Sequence, residues 1–331
     1  MRVGLLHTRI RVEERLLADE LASRGIEHEL IDLREATWDV HEIGAWERFD
    51  VILERSISQT QALTAVRVFE RFGIPCVNPS SVIDVCGDKL STTLALAREQ
   101  VPIPRTRVAV DPASALRSIE EMGYPVILKP TVGSWGRLLA RVNDRDAAEA
   151  LLEHKETLGS VQHGVYYIQE LIHKPGRDIR VFIAGDEVLC AIARTSEHWI
   201  TNTARGGCAS CFRVTPEIEH ICQTAARAVG GGILAIDLLE CPQRGILVNE
   251  INHTMEFRNS IEPTGVNIPG RIIDWVIQVA KRQGTRGNLA SQASQASQAS
   301  LANQMTPSEI GVGSEVKSHG ARTSVALEGT R

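Results

Sequence analysis

The stretch ILVNEIN, residues 246–252, opens as an apolar strand and then places Glu250 and Asn252 two positions apart. Side chains at i and i+2 of a strand project from one face, so the acid and the amide converge. A second apolar run, ILAIDLLE, is interrupted in the same way by Asp237. If these strands pair, three oxygen donors meet, and magnesium prefers such a set: one or two carboxylates, completed by water and phosphate oxygens. The alternative, buried acids satisfied by backbone donors, is weak because charged residues in strand interiors are rarely left unpaired.

Four other stretches could handle the phosphates. Lys129 ends the apolar run YPVILKP and is followed by Gly133-Ser134-Trp135-Gly136. A glycine-bracketed turn lets backbone N–H groups approach phosphate oxygens, though the same composition also makes an ordinary hairpin turn. Gly87-Asp88-Lys89 reads as a helix start, with Asp88 as its cap and Lys89 either reaching an anion or solvated on the surface. In QELIHKPGRDIRV a strand gives way to a Pro-Gly turn, after which Asp178 and Arg180 share one face. That pattern suits the ribose and phosphates of a nucleotide and equally an exposed cross-strand ion pair. HWITNTARGG is a loop whose Arg205 suits bidentate recognition of a carboxylate or acyl phosphate, or is an exposed connection.

The elements that must position these residues follow from periodicity. RVGLL, a helical stretch from Val12 to Arg24, HELIDL, FDVILERS and ALTAVRVFERFG read as β-α-β units on a parallel sheet. No G-x-G-x-x-G accompanies them, so this half reads as a substrate or scaffold domain. After the turn-rich link Asn78-Pro79-Ser80-Ser81, a helix is expected from near Asp88 to before Pro102. Strands PVILKP, LLARV and VYYIQELI follow, with a helix over DRDAAEALLEHKETLG. A third block holds RDIRVFIAG, EVLCAIARTS, the helix TPEIEHICQTAARAVG, the two strands of the opening paragraph and the helix PGRIIDWVIQVAKR.

Composition narrows the class. The 331 residues are 43% apolar with a net charge of -5, which gives no general reason to expect nucleic-acid or membrane partners. The N-terminus carries no signal-peptide pattern and no run is long enough to span a bilayer, so a cytoplasmic protein is expected. Seven scattered cysteines read as free thiols, and the lone CxxC, Cys208 and Cys211, reads as two small loop residues rather than half a zinc site. From 283 to 331 the chain turns to Ser, Gln, Ala, Gly and Thr, including ASQASQASQAS, and reads as a disordered tail.

Lys89, Lys129, the glycine turn, QELI, the Asp-x-Arg and the Asp…Glu-x-Asn set stand in the order of the ATP-grasp ligases. Over residues 1–282 the chain resembles their RimK-like branch. More narrowly, PVILKPTVGSWGRLLARVNDRDAAEALLEHKE, YIQELIHKPGRDIRVFIAGD, HWITNTARGG and NEINHTMEFRNS resemble the LysX group, which joins α-aminoadipate to the amino-group carrier protein LysW. The resemblance implies an α/β (α+β) ATP-grasp fold: a Rossmann-like pre-ATP-grasp domain over 1–86, a central subdomain over 87–168, and a C-terminal subdomain over 169–282, with ATP between the last two.

It also implies roles. Lys89 and Lys129 hold ATP phosphates, and Gly133, Ser134, Trp135, Gly136 and Arg137 close over them. Gln169, Glu170 and Leu171 form the adenine hinge, Asp178 meets the ribose, and Asn202 lies near the phosphates. Asp237, Glu250 and Asn252 hold one or two Mg2+ ions. Arg180 and Arg205 are the catalytic candidates, and Arg194, Thr203, Ala204, Arg205, Asn259 and Ser260 the substrate-side ones, with Glu256 to Ser260 as a wall. A homo-oligomer, dimer or tetramer, and an acyl-phosphate route without a nucleophilic Cys or Ser are expected. Glutamate as the amine, on the same carrier or on a ribosomal protein, and a non-catalytic ATP-binding scaffold remain the alternatives.

Overall fold

In the computed structural model, residues 1–133, 138–159, 164–199, 201 and 208–282 are described. The first sheet is the parallel one expected. Its strands β1 (Arg2–His7), β2 (Glu27–Asp32), β3 (Val51–Glu54) and β4 (Cys76–Val77) lie in the order β2-β1-β3-β4, with α1 (Val12–Ser23) and α2 (Gln59–Arg71) as crossovers. Both faces are covered, so β1 and β3 read as continuous apolar runs rather than alternating ones. Val3, Leu5, Val51 and Leu53 enter one core, and Leu6 and Ile52 the other.

Ser80 and Ser81, read above as the end of a link, instead open the helix α3 (Ser80–Gly87), in which Val82 and Ile83 bury themselves. The chain breaks at Asp88, whose carboxylate accepts from the Ser91 amide at 2.7 Å and caps α4 (Lys89–Arg98). One expected helix is therefore the second of two.

The second sheet is antiparallel, with strands β5 (Thr106–Ala109), β6 (Val126–Lys129), β7 (Ala140–Val142) and β8 (Tyr166–Glu170) in the order β5-β8-β6-β7. Helices α5 (Pro112–Met122) and α6 (Arg145–Leu158) pack through Ala115, Ile119, Ala148 and Leu152 onto its apolar residues. Residues 106–122, left unassigned by pattern, supply β5 and α5; Asp111 caps α5 and Pro112 opens it.

The third sheet, also antiparallel, runs β11-β10-β9-β12-β13, from β9 (Arg177–Ala184), β10 (Glu187–Thr195), β11 (Cys208–Phe212), β12 (Ile233–Cys241) and β13 (Gly245–Asn252). Helix α7 (Pro216–Ala228) covers one face through Ile218, Cys222, Ala225 and Ala226. The short α8 (Arg258–Thr264) and a last helix over 268–282 follow. Ile268, Ile272, Ile273 and Val276 of that last helix share a core with Leu17 and Leu21 of α1 and with Phe182 and Ala235 of the third sheet. Cys208 and Cys211 lie in the edge strand β11, not in a loop, and at i and i+3 they face opposite sides of it, which disfavours joint ligation of one ion. No described helix is long and apolar enough to cross a membrane.

Candidate active site

A β-bulge sets the phase of the key strand. On β12, Leu234, Ile236 and Leu238 face the α7 core, leaving Asp237 on the other side. On β13, Ile246 and Val248 face that same core, yet beyond the bulge it is Ile251 that does so. Leu238 pairs with Val248 whereas Asp237 pairs with Glu250, so Asn249 is the extra residue. The shift from even to odd positions turns Glu250 and Asn252 away from the core and onto the face of Asp237. The break in apolar alternation is the bulge, read in sequence.

This face opens into a cavity of about 700 Å³. Lys89, Lys129, Gly133, Gln169, Glu170, Leu171, Asp178, Arg180, Arg194, Asp237, Glu250 and Asn252 all line it. The expected residues from the three regions are thus brought together. Ser134, Trp135, Gly136, Arg137, Asn202, Thr203, Ala204, Arg205 and the tail from 283 lie outside the described residues. Asn259 and Ser260 do not join the cavity: both sit in α8, with Ser260 buried, and the wall is made by His253 to Glu256 instead.

The two lysines approach from separate elements. Lys129, at the end of β6, is buried and donates from Nζ to Asn249 Oδ1 at 3.0 Å. Burial lowers its pKa to about 8, against the pull of Glu250. Lys89, at the start of α4, donates to the Gly133 carbonyl at 2.6 Å, and its Nζ lies 3.9 Å from Glu250 Oε1. It faces the cavity rather than projecting from a solvated helix end.

Asp178, Arg180, Arg194 and Asp237 form a buried ion-pair chain across β10, β9 and β12. Arg180 grips Asp237 with both arms, Nε to Oδ1 at 2.7 Å and Nη2 to Oδ2 at 2.8 Å. Arg194 reaches Asp237 Oδ2 at 3.1 Å and Asp178 Oδ1 at 2.6 Å. An ion pair here was one of two readings of the Asp-x-Arg pattern, but Asp178, Arg194 and Asp237 are buried rather than exposed. Burial opposes the charge on Asp237, and the Arg180 and Arg194 guanidinium groups outweigh it, holding its carboxyl below the usual carboxylate range.

At the hinge, Gln169 is buried on β8 and Glu170 accepts from the Arg105 amide and from Arg244 in the β12–β13 turn. Arg244 thereby fastens the third sheet's hairpin to the second sheet.

The donor set can be tested for magnesium on one atom. Asn252 Nδ2 is buried and has no hydrogen-bond partner among the described residues, an expensive arrangement for a neutral protein interior. An amide turned about its last bond presents Oδ1 at that position, beside Glu250 and Asp237, so the set fits a hard cation.

Several lining residues escaped sequence reasoning. Lys174 donates to Thr201 Oγ1 at 2.7 Å and lies 3.7 Å from Asp178 Oδ2. Asn249 stands inside the NEIN stretch and could have been found by asking where the alternation slips. Arg11, Ser56, Gln59 and Thr60 come from the parallel sheet's domain. They follow the carboxyl ends of β1 and β3, where the strand order reverses, and topology alone points there.

Known proteins resemble this chain. Residues 86–276 match the RimK-like ATP-grasp domain, and residues 3–85 match the LysX preATP-grasp domain. A glutamate–LysW ligase, ArgX, of Sulfurisphaera tokodaii is 34% identical over 278 residues, 83% of this chain and 98% of the relative. An α-aminoadipate–LysW ligase, LysX, of Saccharolobus solfataricus is 34% identical over 234 residues, 70% of this chain and 85% of the relative. The crystal structure of a RimK domain ATP-grasp protein from Sphaerobacter thermophilus superposes with a TM-score of 0.71 at 28% identity, covering 83% of this chain and 99% of that one. The chain belongs to the RimK-like ATP-grasp ligases and is an ADP-forming acid–amino acid ligase with a LysX-type pre-ATP-grasp domain.

Proposed function

We propose that the protein joins the amino group of α-aminoadipate to the side-chain carboxylate of the C-terminal glutamate of LysW, a small acidic amino-group carrier protein, in lysine biosynthesis. The observation that carries the reading is the convergence of Lys89, Lys129, Asp237, Glu250 and Asn252 on one cavity face, bordered by the hinge residues Gln169 to Leu171. Relatives named for this reaction, and for the glutamate reaction on the same carrier, span most of the chain.

ATP lies between the second and third sheets, its adenine against Gln169, Glu170 and Leu171 and its ribose near Asp178. Lys89, Lys129, residues 133–137 and Asn202 bind the phosphates. Asp237, Glu250 and Asn252 hold one or two Mg2+ ions, which offset phosphate charge when bound. The carrier's carboxylate oxygen takes the γ-phosphoryl group and ADP leaves. The amine nitrogen then attacks the acyl carbon, gives up a proton and expels phosphate, leaving an isopeptide bond. Arg180 and Arg205 stabilise the developing oxyanion, and Arg194, Thr203 and Ala204 take part in binding the substrates. The expected part of Asn259 and Ser260 is reduced to supporting the wall at His253 to Glu256. The enzyme works in the cytoplasm as a dimer or tetramer.

Glutamate as the amine is the second reading, favoured by the ArgX relatives, since one methylene separates the substrates and a pocket distinguishes it by only about 1–3 kcal/mol. The test is ADP release and carrier mass with purified LysW and either amino acid. The reading expects both signals with α-aminoadipate. Faster turnover with glutamate overturns the choice of amine, and release with neither points to a non-catalytic scaffold.

A further inference from the structure

Beyond Asn252 the chain runs through a strap, residues 253–258, that the parallel-sheet domain holds almost residue by residue. The Asn78 amide donates to the His253 carbonyl at 2.7 Å, and Thr254 Oγ1 donates to Glu54 Oε2 at 3.3 Å. Arg55 donates to the Met255 carbonyl at 2.8 Å, and Arg11 lies 3.5 Å from Glu256. The Arg258 amide donates to Glu13 Oε1 at 3.3 Å.

Asn78 differs from the rest because it also holds the partner strand. Its Nδ2 donates to the Ile233 carbonyl at 2.8 Å as well as to His253, and its Oδ1 accepts from the Ile233 amide at 2.7 Å. Ile233 opens β12, four residues before Asp237, and His253 directly follows Asn252 at the end of β13. One side chain, 3% exposed, therefore ties together the open ends of the two strands that carry the three oxygen donors. The approach is close enough to dictate the neighbouring residue: a Cβ on Gly232, whose φ is +103°, would stand 2.1 Å from Asn78 Oδ1.

We propose that Asn78 is a positioning residue of the phosphate and metal centre, setting the spacing of β12 and β13 so that Glu250 and Asn252 meet a divalent cation beside Asp237. The inference rests on the reading of these three residues as magnesium ligands. It makes the first domain part of the centre's framework although that domain supplies none of the three ligands. Residues that orient ligands without touching the ion change metal affinity by about 10–100-fold when lost.

The test is calorimetric titration of ADP into the full chain, with and without Mg2+, for the native protein, Asn78→Ala and Asn78→Asp. The native chain binds ADP more tightly with magnesium. In both variants the metal-free affinity stays within about twofold of native while the strengthening by magnesium falls about tenfold or more. Asn78→Asp keeps the shape and the acceptor but loses both donated bonds, so it decides the matter if Asn78→Ala does not fold. Full magnesium strengthening in a folded variant overturns the proposal, as does an equal loss of metal-free affinity, which marks general loosening. A native chain without magnesium strengthening overturns the ligand reading itself, and the role of Asn78 with it.

Discussion

Lys129 and Asn249 meet at 3.0 Å, an ammonium of the second sheet resting on the residue that the β13 bulge leaves without a cross-strand partner. The contact joins the sheets on either side of the nucleotide space. It also places a buried cation where its charge is in question near neutral pH.

The first prediction is a pH profile. Lys129, with its pKa lowered to about 8 by burial, carries its charge below that value and loses it above. ATP binding to the free enzyme therefore weakens as pH rises through about 8, with the slope of one proton, in kcat/KM for ATP. Lys129→Arg keeps the charge at all accessible pH and removes that limb.

Glu250→Gln separates chemistry from folding. The amide keeps the shape but removes a negative charge from the face shared with Asp237, and magnesium affinity falls about 10–100-fold while the unfolding midpoint holds. Magnesium-dependent turnover and thermal melting check both halves; near-normal turnover excludes Glu250 as a ligand.

Arg180 and Asp237 couple energetically. In a double-mutant cycle of Arg180→Ala and Asp237→Asn, measured by denaturant unfolding, the interaction is about 1–3 kcal/mol. The value stays moderate because Arg194 continues to bond Asp237 after Arg180 is gone.

Glu54, which ends β3, is fully buried, and burial raises its pKa to about 7. A carboxyl whose folded pKa lies above its unfolded value adds stability at low pH and loses it as pH rises towards the folded pKa. Between pH 5 and 8 the native chain thus loses about 2–3 kcal/mol that Glu54→Gln does not lose. Parallel stability curves for the two proteins would sink this assignment.

The sequence made the parallel sheet legible because β1 and β3 are continuous apolar runs, and it exposed Lys129, Asp237, Glu250 and Asn252 because each interrupts such a run. Partners were not legible. Nothing local tells that Asp237 is clasped by Arg180 and Arg194, since that follows from how β9, β10 and β12 align. The start of α4 was legible from its capping Asp88, but α3 was hidden because it opens inside the turn-like run Asn78-Pro79-Ser80-Ser81. Asn78 gave no signal because its partners Ile233 and His253 lie 155 and 175 positions away, and nothing local marks Arg11 and Ser56 as lining a cavity built mostly by the other two sheets.

The bulge at Asn249 means that this centre is specified by counting as much as by chemistry. Replacing Asn249 alters one contact with Lys129. Pairing it with Asp237 in an uninterrupted ladder would swing Glu250 and Asn252 towards the α7 side, among Ile236, Leu238 and Ile218, and turn Ile251 outward, whereas deleting it leaves all three on their present faces. A three-nucleotide loss at this codon would then spare both ligands and cost only the contact with Lys129, so the two depend on the extra residue staying out of the ladder rather than on what that residue is.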